Sequence, residues 1–243
     1  MRQMRIVNIV ERGLLGIALP VLTRPPVPFD SPDKDLTLFT IRLYVCSMIA
    51  HIRTILAGIM VLDEAGNTPS VRLLCRHVFE WTAQVAYAAE KVSKHIKAAE
   101  WSDAVNIVSG FDRANSWIKK YGSQHGALPI QLDGPDPVRL KHWIAAYERL
   151  RVEEYGAKTV GESYGYLSEH AHPSGACFLE YREICGPEVR FVPACRAHLT
   201  DIGEPLIEWL MLTYRILGLA EEDTVRLALR RVIEDVAALQ SQR

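Results

Sequence analysis

The feature that most constrains this chain is the apolar spacing between Asp35 and Leu62. There Leu38, Ile41, Val45, Met48, Ile49, Ile52, Ile55, Leu56 and Ile59 recur at steps of three and four residues. Side chains three or four apart share one face of an α-helix, so this spacing predicts a long amphipathic helix and does not fit the alternation of a strand. The segment "DEAGNTPS" then supplies a stop and a new start, with Thr68 as the predicted N-cap and Pro69 at the first helical position. The second helix is predicted to run to about His95. A connection of about six residues between two long helices makes them antiparallel neighbours, and this hairpin is expected to be the centre of the fold.

Other segments extend the helical pattern. Residues 3–19 can form a short helix, whereas "PVLTRPPVPFDSPDKD" is extended or turned because each proline restricts the residue before it. This divides the chain into an N-terminal helix with a proline-rich linker, 1–34, and a single helical-bundle domain, 35–243. "WSDAVNIVSGFDRANSWIKKYG" suggests another helix, interrupted near Gly110, followed by the loop "GSQHGALPIQLDGPDP". Helices are predicted again over 137–154, 158–172, 199–217 and 223–239, the last with Val225, Leu229, Val232, Val236 and Leu239 on one stripe. "EVRFVP" reads as a short strand or an extended crossing, and no sheet is predicted from it. About seven helices without an alternating strand pattern specify an all-α, multi-helix bundle.

The charge balance narrows the functional classes. With 28 basic and 29 acidic side chains the net charge is −1, so the chain has no overall electrostatic footprint for DNA, RNA or an anionic membrane. A local basic patch stays open. The run "GLLGIALPVL" resembles a signal peptide, but Glu11 interrupts the basic region before it, Pro20 splits it, and "TRPPVPF" offers no small-residue cleavage site. No stretch reaches about 18 uninterrupted apolar residues, so a membrane span is not expected, and the protein is expected in the cytoplasm. Five widely spaced cysteines, Cys46, Cys75, Cys177, Cys185 and Cys195, read as thiols of a reducing compartment. Together with His172 and His198 they match no common zinc-site spacing. Walker, Gly-x-Gly-x-x-Gly and Gly-x-Ser-x-Gly segments do not occur, so neither metal nor cofactor is expected. Trp81, Trp101, Trp117, Trp143 and Trp209 lie among helical apolar positions and read as core or interface rather than base-stacking platforms.

Two stretches carry candidate chemistry. In "VRLLCRHVFEWTAQVAYAAE" the residues Leu74, Val78, Trp81, Val85 and Val92 share a core face. Arg72, Arg76, Glu80, Ala83 and Tyr87 lie on the other side with Phe79, a mixture too apolar for a solvated face, so this side is a candidate for cover as well. Arg76 and Glu80 are four apart and can pair. The plainer reading of that pair is a structural or exposed salt bridge. In "YGYLSEHAHPSG" the residues Tyr164, Ser168 and His172 fall within about 80° of one helix face, whereas His170 diverges from His172 by about 200° and cannot share a metal with it. Pro173 stops the helix and puts His172 in its last turn, where the helix C-terminus favours an imidazolium. The plainer reading of His172 is a C-capping residue.

These two stretches together resemble a family of uncharacterised bacterial all-helical proteins with an Arg-x-x-x-Glu helix and a later Tyr-x-x-Leu-Ser-x-x-x-His helix end. The matching residues are Arg76, Glu80, Tyr164, Leu167, Ser168 and His172. Such proteins are similar in outline to the HEPN group, nucleotide-binding and ribonuclease bundles of toxin and defence systems. The resemblance implies a polar inter-helix site with RNA or a nucleotide as partner, His172 as acid or base, and Arg76 stabilising phosphate charge. HEPN nucleases use an Arg-x4–6-His spacing. Arg72 and His77 have it here, but 20 arginines and 8 histidines supply about two such spacings by chance. The alternative is a non-enzymatic interaction or oligomerisation protein in which Arg76, Glu80, Tyr164, Ser168 and His172 form a structural network. Aliphatic and tryptophan residues on the terminal helices point to a homo-oligomer.

Overall fold

The computed structural model describes residues 2–28, 31–112, 140–155, 160–171, 182–185, 188–191 and 202–241. Among them are eight helices: α1 (Arg2–Leu15), α2 (Lys34–Glu64), α3 (Thr68–Lys97), α4 (Trp101–Asp112), α5 (Leu140–Tyr155), α6 (Val160–Ala171), α7 (Gly203–Leu219) and α8 (Asp223–Ser241). The fold is all-α. Its small exception is a two-stranded antiparallel ribbon, β1 (Arg182–Cys185) and β2 (Glu188–Phe191), with Arg182 opposite Phe191 and Cys185 opposite Glu188. The sequence placed extended structure at the second of these strands but gave no partner for it.

Local chemistry sets the ends of the long helices. Asp33 caps α2 by accepting the Leu36 N–H at 2.9 Å. At the far end Gly66 takes φ +71°, and the Gly66 and Asn67 N–H groups return to the carbonyls of Asp63 and Leu62, the bonding of a Schellman motif. Asn67, not Thr68, then caps α3, because its amide oxygen reaches the Ser70 N–H at 3.3 Å and leaves Thr68 as the first helical residue. Contacts leave this turn in step: Leu74 lies against Gly58, and the Trp81 ring lies 4.9 Å from that of His51. Helices α2 and α3 are thus in contact beyond the turn that joins them.

The centre of the bundle is α3 alone, since α2, α4, α5, α6 and α7 all pack on it. Val78 and Val92 are fully buried on the expected core face, and so are Ala83 and, nearly, Phe79 on the other. Both sides of α3 are therefore covered, which forces its polar residues to find partners. The first helix shares the same core. Val7, Val10 and Leu14 are fully buried as α1 packs against α2, α7 and α8. Gly13 permits that approach: a Cβ there would stand 2.5 Å from the Val232 side chain.

Helix α2 has the length and apolar composition of a membrane-crossing segment. Its arginines are nevertheless held by neighbouring backbone: Arg42 donates to the carbonyls of Ala220 and Glu221, and Arg53 to that of Ile17. Fourteen of its residues are buried in the bundle, as expected of a helix built into a protein core.

Candidate functional site

The two candidate stretches meet at the contact of α3 with α6. Arg76 Nε donates to Glu80 Oε1 at 2.8 Å, one turn along the same helix, and Arg76 Nη2 donates to the Tyr164 hydroxyl at 3.0 Å across 88 residues of sequence. The Tyr164 hydroxyl in turn donates to Glu80 Oε1 at 3.2 Å. The guanidinium also lies over the tyrosine ring, 5.4 Å from its centroid, within the range of a cation–π contact. The side chains of Arg76 and Glu80 are each 20% exposed, so the triad sits at the edge of the core. Burial alone would lower the Arg76 pKa, but the hydrogen bond and charge of Glu80, with Tyr164, outweigh it and hold the guanidinium pKa above its ordinary value. His77 approaches the other oxygen of Glu80 at 3.7 Å and is half exposed.

Ser168, one turn beyond Tyr164, is partly buried, and its hydroxyl has no hydrogen-bond partner among the described residues. Leu167 beside it is buried in the core and fixes the face that α6 turns inward. His172 lies outside the described residues, as do Cys177, Cys195 and His198. Of the five candidate residues, three are therefore hydrogen-bonded together and a fourth is on the same helix as one of them. Arg72 is buried at 4% exposure.

A second polar network was not singled out from the sequence. Tyr147 on α5 is fully buried and donates its hydroxyl to Glu208 on α7. Arg151, one turn beyond Tyr147, has its Nε 3.2 Å from Glu208 Oε1 and donates from Nη2 to Glu204 at 2.8 Å. Its Nε meets Glu208 at ion-pair distance without the alignment of a hydrogen bond. Burial, followed by the charge of Glu208, pushes the Tyr147 pKa well above the ordinary phenol value. Phe79 joins the two networks, with its ring 5.4 Å from that of Tyr147 and 6.1 Å from that of Tyr164. The signal for this network is Glu208 within the apolar run "PLIEWLML", a charge at a core position that needs a partner.

Two further features lie on the described surface. At the α3–α4 junction His95 Nδ1 stands 2.6 Å from Glu100 Oε2, and Asp103 completes a group of potential metal ligands. The short His95–Glu100 contact accounts for that arrangement without an ion. Cys46 and Cys75 are buried, and burial raises the Cys46 pKa.

No protein-family model, curated protein or solved structure matches this chain. The fold and the α3–α6 site define an all-α protein with a polar inter-helix site.

Proposed function

We propose that the α3–α6 site is the working site of a cytoplasmic protein that processes RNA or a nucleotide. The reaction proposed is phosphodiester cleavage, with His172 as general acid or base and Arg76 stabilising charge on the phosphate. The observation that carries this reading is the Arg76–Glu80–Tyr164 triad, whose two charged side chains are each one-fifth exposed and so within reach of a ligand. The unpartnered Ser168 hydroxyl adds a donor on the same helix as Tyr164. Since Glu80 neutralises Arg76, the site offers directed N–H donors rather than a free positive charge. Binding should accordingly depend only weakly on salt.

A second reading is favoured by one specific observation: Arg76, Glu80 and Tyr164 satisfy one another. In that case the triad is a clamp between α3 and α6 in a protein that dimerises or docks a partner. RNA decay measured with Arg76→Ala and His172→Ala at matched folded fractions separates the two readings. Loss of decay in both variants supports the first. Decay unchanged in both, or lacking in the wild type, overturns it.

A further inference from the structure

A cleft of about 460 Å³ opens between α2, α3 and α4, on residues that the proposed catalytic reading does not use. Its volume lies within the range of small-molecule sites. Its walls are aromatic: the Tyr44 and Phe111 rings stack at 5.2 Å on one side, and the Trp81 and His51 rings meet at 4.9 Å on the other. Trp81, which the sequence assigns to the core face, is only partly buried and lines this cleft.

Among the described residues no aspartate, glutamate, lysine or arginine lines the cleft, and a charged ligand would lose its hydration against these walls without compensation from them. A polar group is nevertheless waiting. Gln84 is 5% exposed and lines the cleft. The amide offers a carbonyl oxygen and an NH₂ side by side, a match for an adjacent donor and acceptor on a ring edge. His51 is exposed at the rim, and burial of its ring, with the charge of His77, lowers its pKa and favours the neutral imidazole.

We propose that this cleft binds a flat, uncharged heteroaromatic molecule of nucleobase type, stacked among Tyr44, Trp81 and Phe111 and read by the amide of Gln84. Stacking on aromatic side chains is worth about 1–3 kcal/mol per base, and the paired hydrogen bonds give the selectivity. The inference stands on Gln84 and the ring walls and does not require the α3–α6 site to be catalytic.

Isothermal titration with adenine, and separately with indole as a flat ring lacking the paired donor and acceptor, tests it on the full chain. Adenine is expected to bind the wild type at least tenfold more tightly than indole. Gln84→Leu, which keeps the volume, should weaken adenine binding at least tenfold and leave indole unchanged. Ser47→Trp, at the exposed mouth of the cleft, should abolish binding of both while the far-UV circular dichroism stays that of the wild type. The proposal is overturned if adenine fails to bind the wild type. Adenine binding that survives either Gln84→Leu or a folded Ser47→Trp variant also overturns it.

Discussion

Replacing Tyr147 with phenylalanine deletes a single oxygen from the interior of the bundle, and the structure sets what that should cost. The ring of Tyr147 is fully buried and keeps its edge contact with Phe79 at 5.4 Å in either residue, so the packing contribution is unchanged. What disappears is the hydroxyl donated to the Glu208 carboxylate. A hydrogen bond to a charged group contributes about 1.5–3 kcal/mol, and Glu208 retains the Arg151 guanidinium at 3.2 Å, so a value near 2 kcal/mol is expected. Glu208→Ala removes the acceptor itself, strands the phenol and leaves Arg151, among the described residues, with only exposed Glu204, so it should cost about 3–5 kcal/mol. The double variant Tyr147→Phe/Glu208→Leu should be less destabilised than the sum of the single effects, because neither partner is left unsatisfied. Urea unfolding followed by circular dichroism measures all three, with an unchanged denaturant slope as the check that the unfolded state is the same. In a chain of this length each 1 kcal/mol shifts the melting temperature by about 2–4 °C. A loss below about 0.5 kcal/mol for Tyr147→Phe would show that this hydrogen bond does not hold α5 to α7.

Further perturbations test other parts of the fold. Arg76→Ala should cost about 2 kcal/mol, below the 3–5 kcal/mol of a fully buried pair, because one fifth of each charged side chain stays in solvent; equilibrium unfolding checks it. Gly13→Ala should destabilise by about 1–3 kcal/mol through overpacking, since the new methyl would meet Val232 at 2.5 Å. Ala99→Gly should stabilise by about 0.5–1 kcal/mol, because Ala99 holds φ +57° where α3 ends and glycine carries no left-handed penalty. Stability should fall as pH rises above about 10. There the unfolded tyrosine releases its proton while Tyr147, with its pKa raised by burial, still holds its own, so the unfolded state binds fewer protons. Tyr147→Phe should show a shallower decline over the same range, which pH-dependent urea unfolding would detect.

Helical class was legible because it rests on spacing alone. The steps of three and four along α2 survive any tertiary arrangement, and Gly66 and Asn67 mark the turn by their own backbone chemistry. The burial of both sides of α3 was also readable, because Phe79 and Ala83 accompany Arg76 and Glu80 on what would otherwise be a solvated face. Pairing across the chain was less accessible. That Tyr164 would meet Arg76 and Glu80 depends on how α6 lies on α3, which no local pattern encodes, and the resemblance rather than the spacing joined the two stretches. Glu208 was visible as a charge in an apolar run, but its partners Tyr147 and Arg151 lie about 60 residues away on another helix. The N-cap assignment missed by one residue, since Asn67 and Thr68 are both competent and backbone geometry decides between them.

The most direct test of the account is RNA turnover by Tyr164→Phe. This variant keeps the ring that packs on Phe79 and stacks with Arg76, and removes only the hydroxyl that bridges Arg76 and Glu80. The hydroxyl is at the edge of the core, so the variant should stay folded and lose about 1 kcal/mol of stability. If the triad is a working site, turnover falls at least tenfold at a matched folded fraction. Turnover equal to that of the wild type, or a wild type that does not act on RNA or nucleotides, would contradict it and leave the triad as a clamp between α3 and α6.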